Sequence, residues 1–152
     1  MVTRSRGVFV DSGPFVLTLS FPGDPRTPLT ERFLARARAS GIAQTGLPNV
    51  LEVAGAISFH AGPERVEKLV KSFSRLFGIP VWPRRVSHLD VSLDELTERL
   101  GRGMKLGDAL VLWAAETCEP RVDTFVTWNA RHFAGRTDLA IRTPQQWLRD
   151  GR

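Results

Sequence analysis

Cysteine is nearly missing: Cys118 is the only one in 152 residues. A lone thiol has no partner in the chain, which excludes a disulfide-stapled scaffold and suits a reducing compartment. No apolar run approaches the ~18 residues of a membrane-spanning helix. Glycine keeps no strict period and no long heptad array appears, so collagen-like and coiled-coil architectures are excluded. Internal repeats, low-complexity tracts and interdomain linkers are also missing. Lysine is scarce: Lys68, Lys71 and Lys105 are the only three among 21 basic residues. The remaining basic residues are arginines, and with 16 acids the formal net charge is +5. Such a surface suits a polyanionic partner, although a GC-rich genome also favours arginine over lysine. Arg4 and Arg6 precede an apolar stretch, but Asp11 interrupts it and no small-residue cleavage site follows. The stretch therefore reads as a strand rather than a signal peptide, and the expected location is the cytoplasm.

What is present is ordinary for a globular domain. Hydrophobic residues make up 42% and charged residues 24%, enough for one core, so a single domain over 1–152 is expected. Strands alternate with helices. Gly7–Val10 reads as a buried strand closed by the turn residues Asp11-Ser12-Gly13-Pro14. A helix is expected over Pro28–Ala39, with Thr27 as its cap and Gly41 just past its end. Ile42–Thr45 is a short strand, and Pro48–His60 a strongly apolar helix. Glu64–Phe77 has helical periodicity, and Ile79–Trp82 reads as a strand. Ser92 and Glu95 form a capping box opening a helix to Leu100. A further helix begins near Gly107 and runs to Glu116. Thr124–Trp128 and Ala140–Arg142 read as strands, and Thr143-Pro144 opens a short terminal helix. This order predicts a three-layer α/β domain with a central, mainly parallel sheet flanked by helices. Ligands in such sheets sit at the carboxyl ends of the strands.

Three acids stand in apolar surroundings: Asp11 after Gly-Val-Phe-Val, Glu52 within Asn49–Ile57, and Asp108 ahead of Ala-Leu-Val-Leu-Trp. An uncompensated buried carboxylate costs several kcal/mol, so each needs a partner. Arginine side chains fit, and so does a divalent cation with oxygen ligands. Each acid also has a plain structural reading: Asp11 as a turn residue, Glu52 on a solvent-facing helix edge, Asp108 as a helix cap. Together they gain weight because the strand order places all three on one side of one sheet. His60, His88 and His132 show no metal-ligand spacing. His60 reads as a helix end, His88 as a surface or loop residue. The sequence carries no Walker loop, Gly-x-Gly-x-x-Gly or Gly-x-Ser-x-Gly.

The ordered motifs are Val-Phe-Val-Asp11-Ser12, then Asn49-Val50-Leu51-Glu52, then Lys105-Leu106-Gly107-Asp108-Ala109-Leu110, then Thr127-Trp128-Asn129-Ala130-Arg131-His132-Phe133. This set resembles a PIN domain, and in size and layout the toxin ribonucleases of bacterial VapBC toxin–antitoxin pairs. The resemblance spans nearly the whole chain. It implies a PIN-like fold and a divalent-metal-dependent endoribonuclease using Mg²⁺ or Mn²⁺. Asp11, Glu52 and Asp108 match the family's catalytic acids, with Asp11 and Asp108 as metal ligands and Glu52 as ligand or general base. Ser12, Asn129, Arg131 and His132 fall to second-layer or substrate-positioning roles, Arg131 as a phosphate contact. Phe133 joins His132 as a positioning residue. Asn129 stands where many relatives carry a fourth acid, and this departure removes one charge from the site. The implied partners are an RNA substrate, a cognate antitoxin and a second copy of the chain. Two other readings fit the fold: a non-catalytic RNA-binding or assembly module, and a metal-dependent phosphatase. The missing Asp-x-Asp after the first strand argues against the latter.

Overall fold

The computed structural model describes residues 6–151. Arg4 lies outside that range. Five short strands alternate with helices in the order β1 (Val8–Val10), α1 (Ser12–Ser20), α2 (Thr27–Ser40), β2 (Ala43–Gly46), α3 (Leu47–Ser58), α4 (Pro63–Phe77) and β3 (Val81–Trp82). A 3-10 turn at Val86–His88 follows, then α5 (Leu93–Gly101), α6 (Leu106–Thr117), β4 (Thr124–Val126), α7 (Ala130–Phe133), β5 (Ala140–Arg142) and α8 (Pro144–Asp150).

All five strands are parallel, in the spatial order β3-β2-β1-β4-β5. The alternation of side chains along each strand divides the interior into two layers. Val8, Val10 and Val126 face one cluster with Phe15 of α1, Phe33 of α2, Val50 and Val53 of α3 and Phe73 of α4. Phe9 and Phe125 face the other, with Leu112 and Trp113 of α6 and Phe133 of α7. Phe9 stacks on Phe125 at 5.7 Å between ring centroids, and Phe125 meets Phe133 at 4.7 Å. Full burial of each such ring contributes about 1.5–3 kcal/mol. The sheet is thus covered on both faces, the three-layer α/β arrangement expected from the alternation of elements. No helix among the described residues is long and apolar enough to cross a membrane.

Local signals explain most boundaries. Gly41 and Gly78 end α2 and α4 in left-handed conformations, with φ of 70° and 64°. The Ser92–Glu95 capping box is formed, and Thr143 caps α8 through Gln146. Two expectations fail. Thr27 is the first residue of α2 and not its cap, which is Arg26; its hydroxyl donates to the Phe21 carbonyl. Asp11-Ser12-Gly13-Pro14 is not a turn closing a strand but the entry to α1. Pro14 sits in the first helical turn, where its missing N–H has no intrahelical partner to lose. Helix α1 therefore starts directly from the end of β1.

That connection places the site. The chain leaves β1 toward β2 and β3, then returns to the other side of β1 with β4 and β5. Strand order reverses between β1 and β4, and the crevice at their carboxyl ends is where such sheets bind ligands. Asp11 and Thr127 are the first residues past these two strands.

Candidate active site

The seam between β1 and β4 continues one step beyond the strands. The Asp11 backbone N–H donates to the Val126 carbonyl at 3.0 Å. The buried Thr127 hydroxyl donates to Asp11 Oδ2 at 2.7 Å. On the other side, Asn49 approaches from the first turn of α3, which starts where β2 ends. Its side-chain amide donates to Asp11 Oδ1 at 3.2 Å and to the Ser12 hydroxyl at 3.0 Å. Its own oxygen accepts from the Gly46 N–H at 3.2 Å. Asn49 is fully buried, so these bonds fix its amide and, through it, the Asp11 carboxylate.

Ser12 extends the network. Its hydroxyl donates to Glu52 Oε2 at 2.5 Å. Glu52 lies one helical turn after Asn49 on α3, so the two share a face. Glu52 lies on the exposed side of α3, as its solvent-facing reading anticipated. Its carboxylate nevertheless turns back to the site. Gly107 makes room for it: a side chain there would collide with Glu52 Oε1. Asp108 follows in the first turn of α6, where the helix dipole favours an anion. His132 Nδ1 lies 3.6 Å from Asp108 Oδ2.

The three acids sense one another. Burial raises the Asp11 pKa first, against hydrogen bonds from Thr127 and the Ser12 backbone, and Asp108 repels it further. Glu52 is raised by burial, opposed by the Ser12 hydroxyl, and raised again by Asp11 and Asp108. Every pair among the three therefore repels. Among the described residues no lysine or arginine pairs with any of them. Carboxylate oxygens are the kind of donor that a divalent cation such as Mg²⁺ takes. The carboxylates do not close into a three-acid cage among the described residues. Mg²⁺ commonly keeps several waters and takes one or two protein carboxylates.

The structure thus brings Asp11, Ser12, Glu52 and Asp108 together, with His132 at the margin. Asn129 is exposed; its backbone N–H binds the Thr127 hydroxyl at 2.9 Å, and its side chain makes no hydrogen bond among the described residues. Arg131 is exposed on α7. Phe133 is not a positioning residue at the site: it is buried against Phe125 and belongs to the core. His88 lies exposed in the 3-10 turn. His60 follows α3 and meets Ser20 at 3.3 Å, away from the acids. Two residues that hold Asp11 were not singled out from the sequence: Asn49 and Thr127. The spacing of Asn49 and Glu52 by three along a helix was a usable signal for the first. Thr127 falls inside the strand expected over Thr124–Trp128, and no local pattern sets it apart; β4 in fact ends at Val126.

No family model matches the sequence, and neither does any curated protein. A solved chain of FitAB bound to an IR36 DNA fragment does share the fold, with a TM-score of 0.54 and 14% sequence identity. The match covers 90% of this chain and 94% of that one. The likeness is one of fold. The PIN-like three-layer architecture expected from the ordered motifs is the architecture observed, with a five-stranded parallel sheet between helical layers.

Proposed function

We propose that the chain is a divalent-metal-dependent endoribonuclease and the toxin of a toxin–antitoxin pair. The observation that carries this reading is the gathering of Asp11, Glu52 and Asp108 near the carboxyl ends of β1 and β2, where they repel one another and no lysine or arginine pairs with them among the described residues. The ordered PIN-like motifs support it, as does the shared fold with FitAB, a protein solved bound to DNA. Asp11 and Asp108 would hold Mg²⁺ or Mn²⁺. When bound, such a cation supplies Lewis-acid stabilisation to charge building on a phosphodiester and eases the ionisation of water.

The residues of the chain do the rest. Thr127 and Asn49 hold both oxygens of Asp11 in place, so the ligand is oriented before anything binds. Glu52 has a raised proton affinity and accepts a proton from the attacking water. Ser12 steers its carboxylate. His132 pairs with Asp108 and restrains it. Arg131 meets a substrate phosphate from α7. The antitoxin and a second copy of the chain are the protein partners of this reading.

The test begins with metal, because it requires no guess about the RNA. Free-ion Mn²⁺ EPR is compared for wild type and the Asp11→Asn/Asp108→Asn double variant, with circular dichroism as the folding control. Wild type binds and the folded variant does not. Each single variant then loses divalent-metal-dependent cleavage of RNA. Cleavage close to wild type in either single variant would defeat the site assignment. A wild type that takes up no Mn²⁺, with or without RNA, would favour a non-catalytic RNA-binding module.

A further inference from the structure

The charges along the carboxyl rim of the sheet are ordered. Asp11 follows β1 and Glu52 sits on the helix that follows β2, so these two acids belong to the neighbouring strands β1 and β2. The strands on either side carry cations at the same rim. Arg84 and Arg85 follow β3, one residue past Pro83, and Arg131 lies on α7 just after β4. All three are exposed, and none makes an ion pair or side-chain hydrogen bond among the described residues. Of the other arginines, Arg26 pairs with Asp24, Arg99 with Glu116, Arg102 with Glu98 and Arg142 with Asp150, while Arg32 on α2 and Arg65 and Arg75 on α4 are, like the rim arginines, exposed without an ion pair among the described residues.

Free cations on both flanks of an acidic centre match a chain of phosphates. From β3 to β4 is about 14 Å, three strand spacings of roughly 4.8 Å each. Asp11 is half-buried in the crevice between them. A substrate must therefore dip to the acids while its neighbouring phosphates stay on the rim, which a flexible single strand does and a stiff duplex does not. We infer that a single nucleic-acid strand lies across the β-strands, from Arg84 and Arg85 over the acids to Arg131, with its phosphates on those arginines. This inference rests on the nuclease reading of the same site and adds the path of the substrate and the residues Arg84 and Arg85.

The test uses a fluorescent single-stranded oligoribonucleotide of about 12 nucleotides, with phosphorothioate linkages that resist cleavage. Affinity is followed by anisotropy between roughly 50 and 200 mM salt. Arg84→Gln/Arg85→Gln is compared with Arg65→Gln/Lys68→Gln, which removes the same charge from the start of α4. That segment follows the far end of α3, about 18 Å of helix from the rim. The rim variant should lower the slope of log K against log salt by about 1.4, two contacts at roughly 0.7 each. It should also weaken binding about tenfold at the lowest salt. The α4 variant should leave both near wild type. Equal losses in the two variants would overturn the inference, since the effect would then be net charge alone. So would an oligo-glutamate of equal charge that binds as tightly and suffers the same loss, because the occupant would then be an acidic protein segment. Mn²⁺ EPR on the same proteins separates the two ideas. Failure of wild type to bind Mn²⁺ counts against the nuclease, whereas failure of the slope comparison counts against the path.

Discussion

Thr127 reaches across the seam between β4 and β1 and donates its hydroxyl to Asp11 at 2.7 Å. The two residues are 116 positions apart in the chain. The bond opposes the desolvation that otherwise raises the Asp11 pKa. Thr127→Val keeps the buried shape and removes the donor. The variant should fold, at a cost of about 1–2 kcal/mol for the weakened network. Its Asp11 pKa should rise, because burial and Asp108 then act with less opposition. Mn²⁺ binding, followed by EPR as pH is varied, should therefore need a higher pH for half-saturation than in wild type. An unchanged midpoint would mean that Thr127 does not tune this carboxylate.

Much of this was legible in advance, and the limits have physical causes. The alternation of apolar strands and capped helices gave the layers and the parallel sheet. The three acids stood out because carboxylates are costly beside core segments. Helix α1 was hidden. Ser12, Gly13 and Pro14 are turn formers, and the following Phe15–Leu19 stretch is apolar without a clean polar face. Asn49 and Thr127 were hidden for another reason. Each is a small polar residue near an element end, where caps and turns are the ordinary use. Their role depends on β1 lying between β2 and β4, and strand order is not written in any local pattern. Phe133 misled in the opposite direction, since its motif position suggested the site while its side chain serves the core.

Two glycines separate the site from the scaffold. A methyl group on Gly107 would meet Glu52 Oε1, the far end of a flexible side chain. Gly107→Ala should cost little stability, and the better helix propensity of alanine offsets part of it. It should push the Glu52 carboxylate from its place and lower RNA cleavage about tenfold or more. A methyl on Gly46 would meet Asn49 Oδ1, and would lie 3.0 Å from both Ala114 Cβ and Phe9 Cζ. Those neighbours are packed in the core and cannot swing away. Gly46→Ala should thus lose about 1–3 kcal/mol on denaturant unfolding. If the two variants lose stability equally, Glu52 is not free to move and the distinction fails.

Asn129 tests the missing fourth acid. Its backbone is tied to the Thr127 hydroxyl, and its side chain is exposed at the rim without a hydrogen bond among the described residues. Asn129→Asp adds a negative charge beside the acids at almost unchanged volume. Mn²⁺ should bind several-fold more tightly, by isothermal titration or EPR. Weaker or unchanged affinity would place residue 129 outside the reach of the metal.

The repulsion among the acids has a sign that stability can read. Glu52 is raised above its ordinary range by burial, with Asp11 and Asp108 adding to it and Ser12 opposing. A carboxylate with a raised folded-state pKa binds its proton more readily in the folded chain than in the unfolded one. Its contribution to stability therefore falls as pH rises from the unfolded pKa through the folded one. Glu52→Gln removes that cost and keeps an oxygen to accept from Ser12. Without divalent cations at about pH 7.5, the variant should melt about 2 °C above wild type. The gap should close on acidification, as wild-type Glu52 takes up its proton. Millimolar Mn²⁺ should reverse the order, since the intact carboxylate set gains more from binding. A variant that melts below wild type at neutral pH without metal would show Glu52 to be stabilised there as an anion. Negative charge at this site would then already be relieved by the chain itself, without a cation.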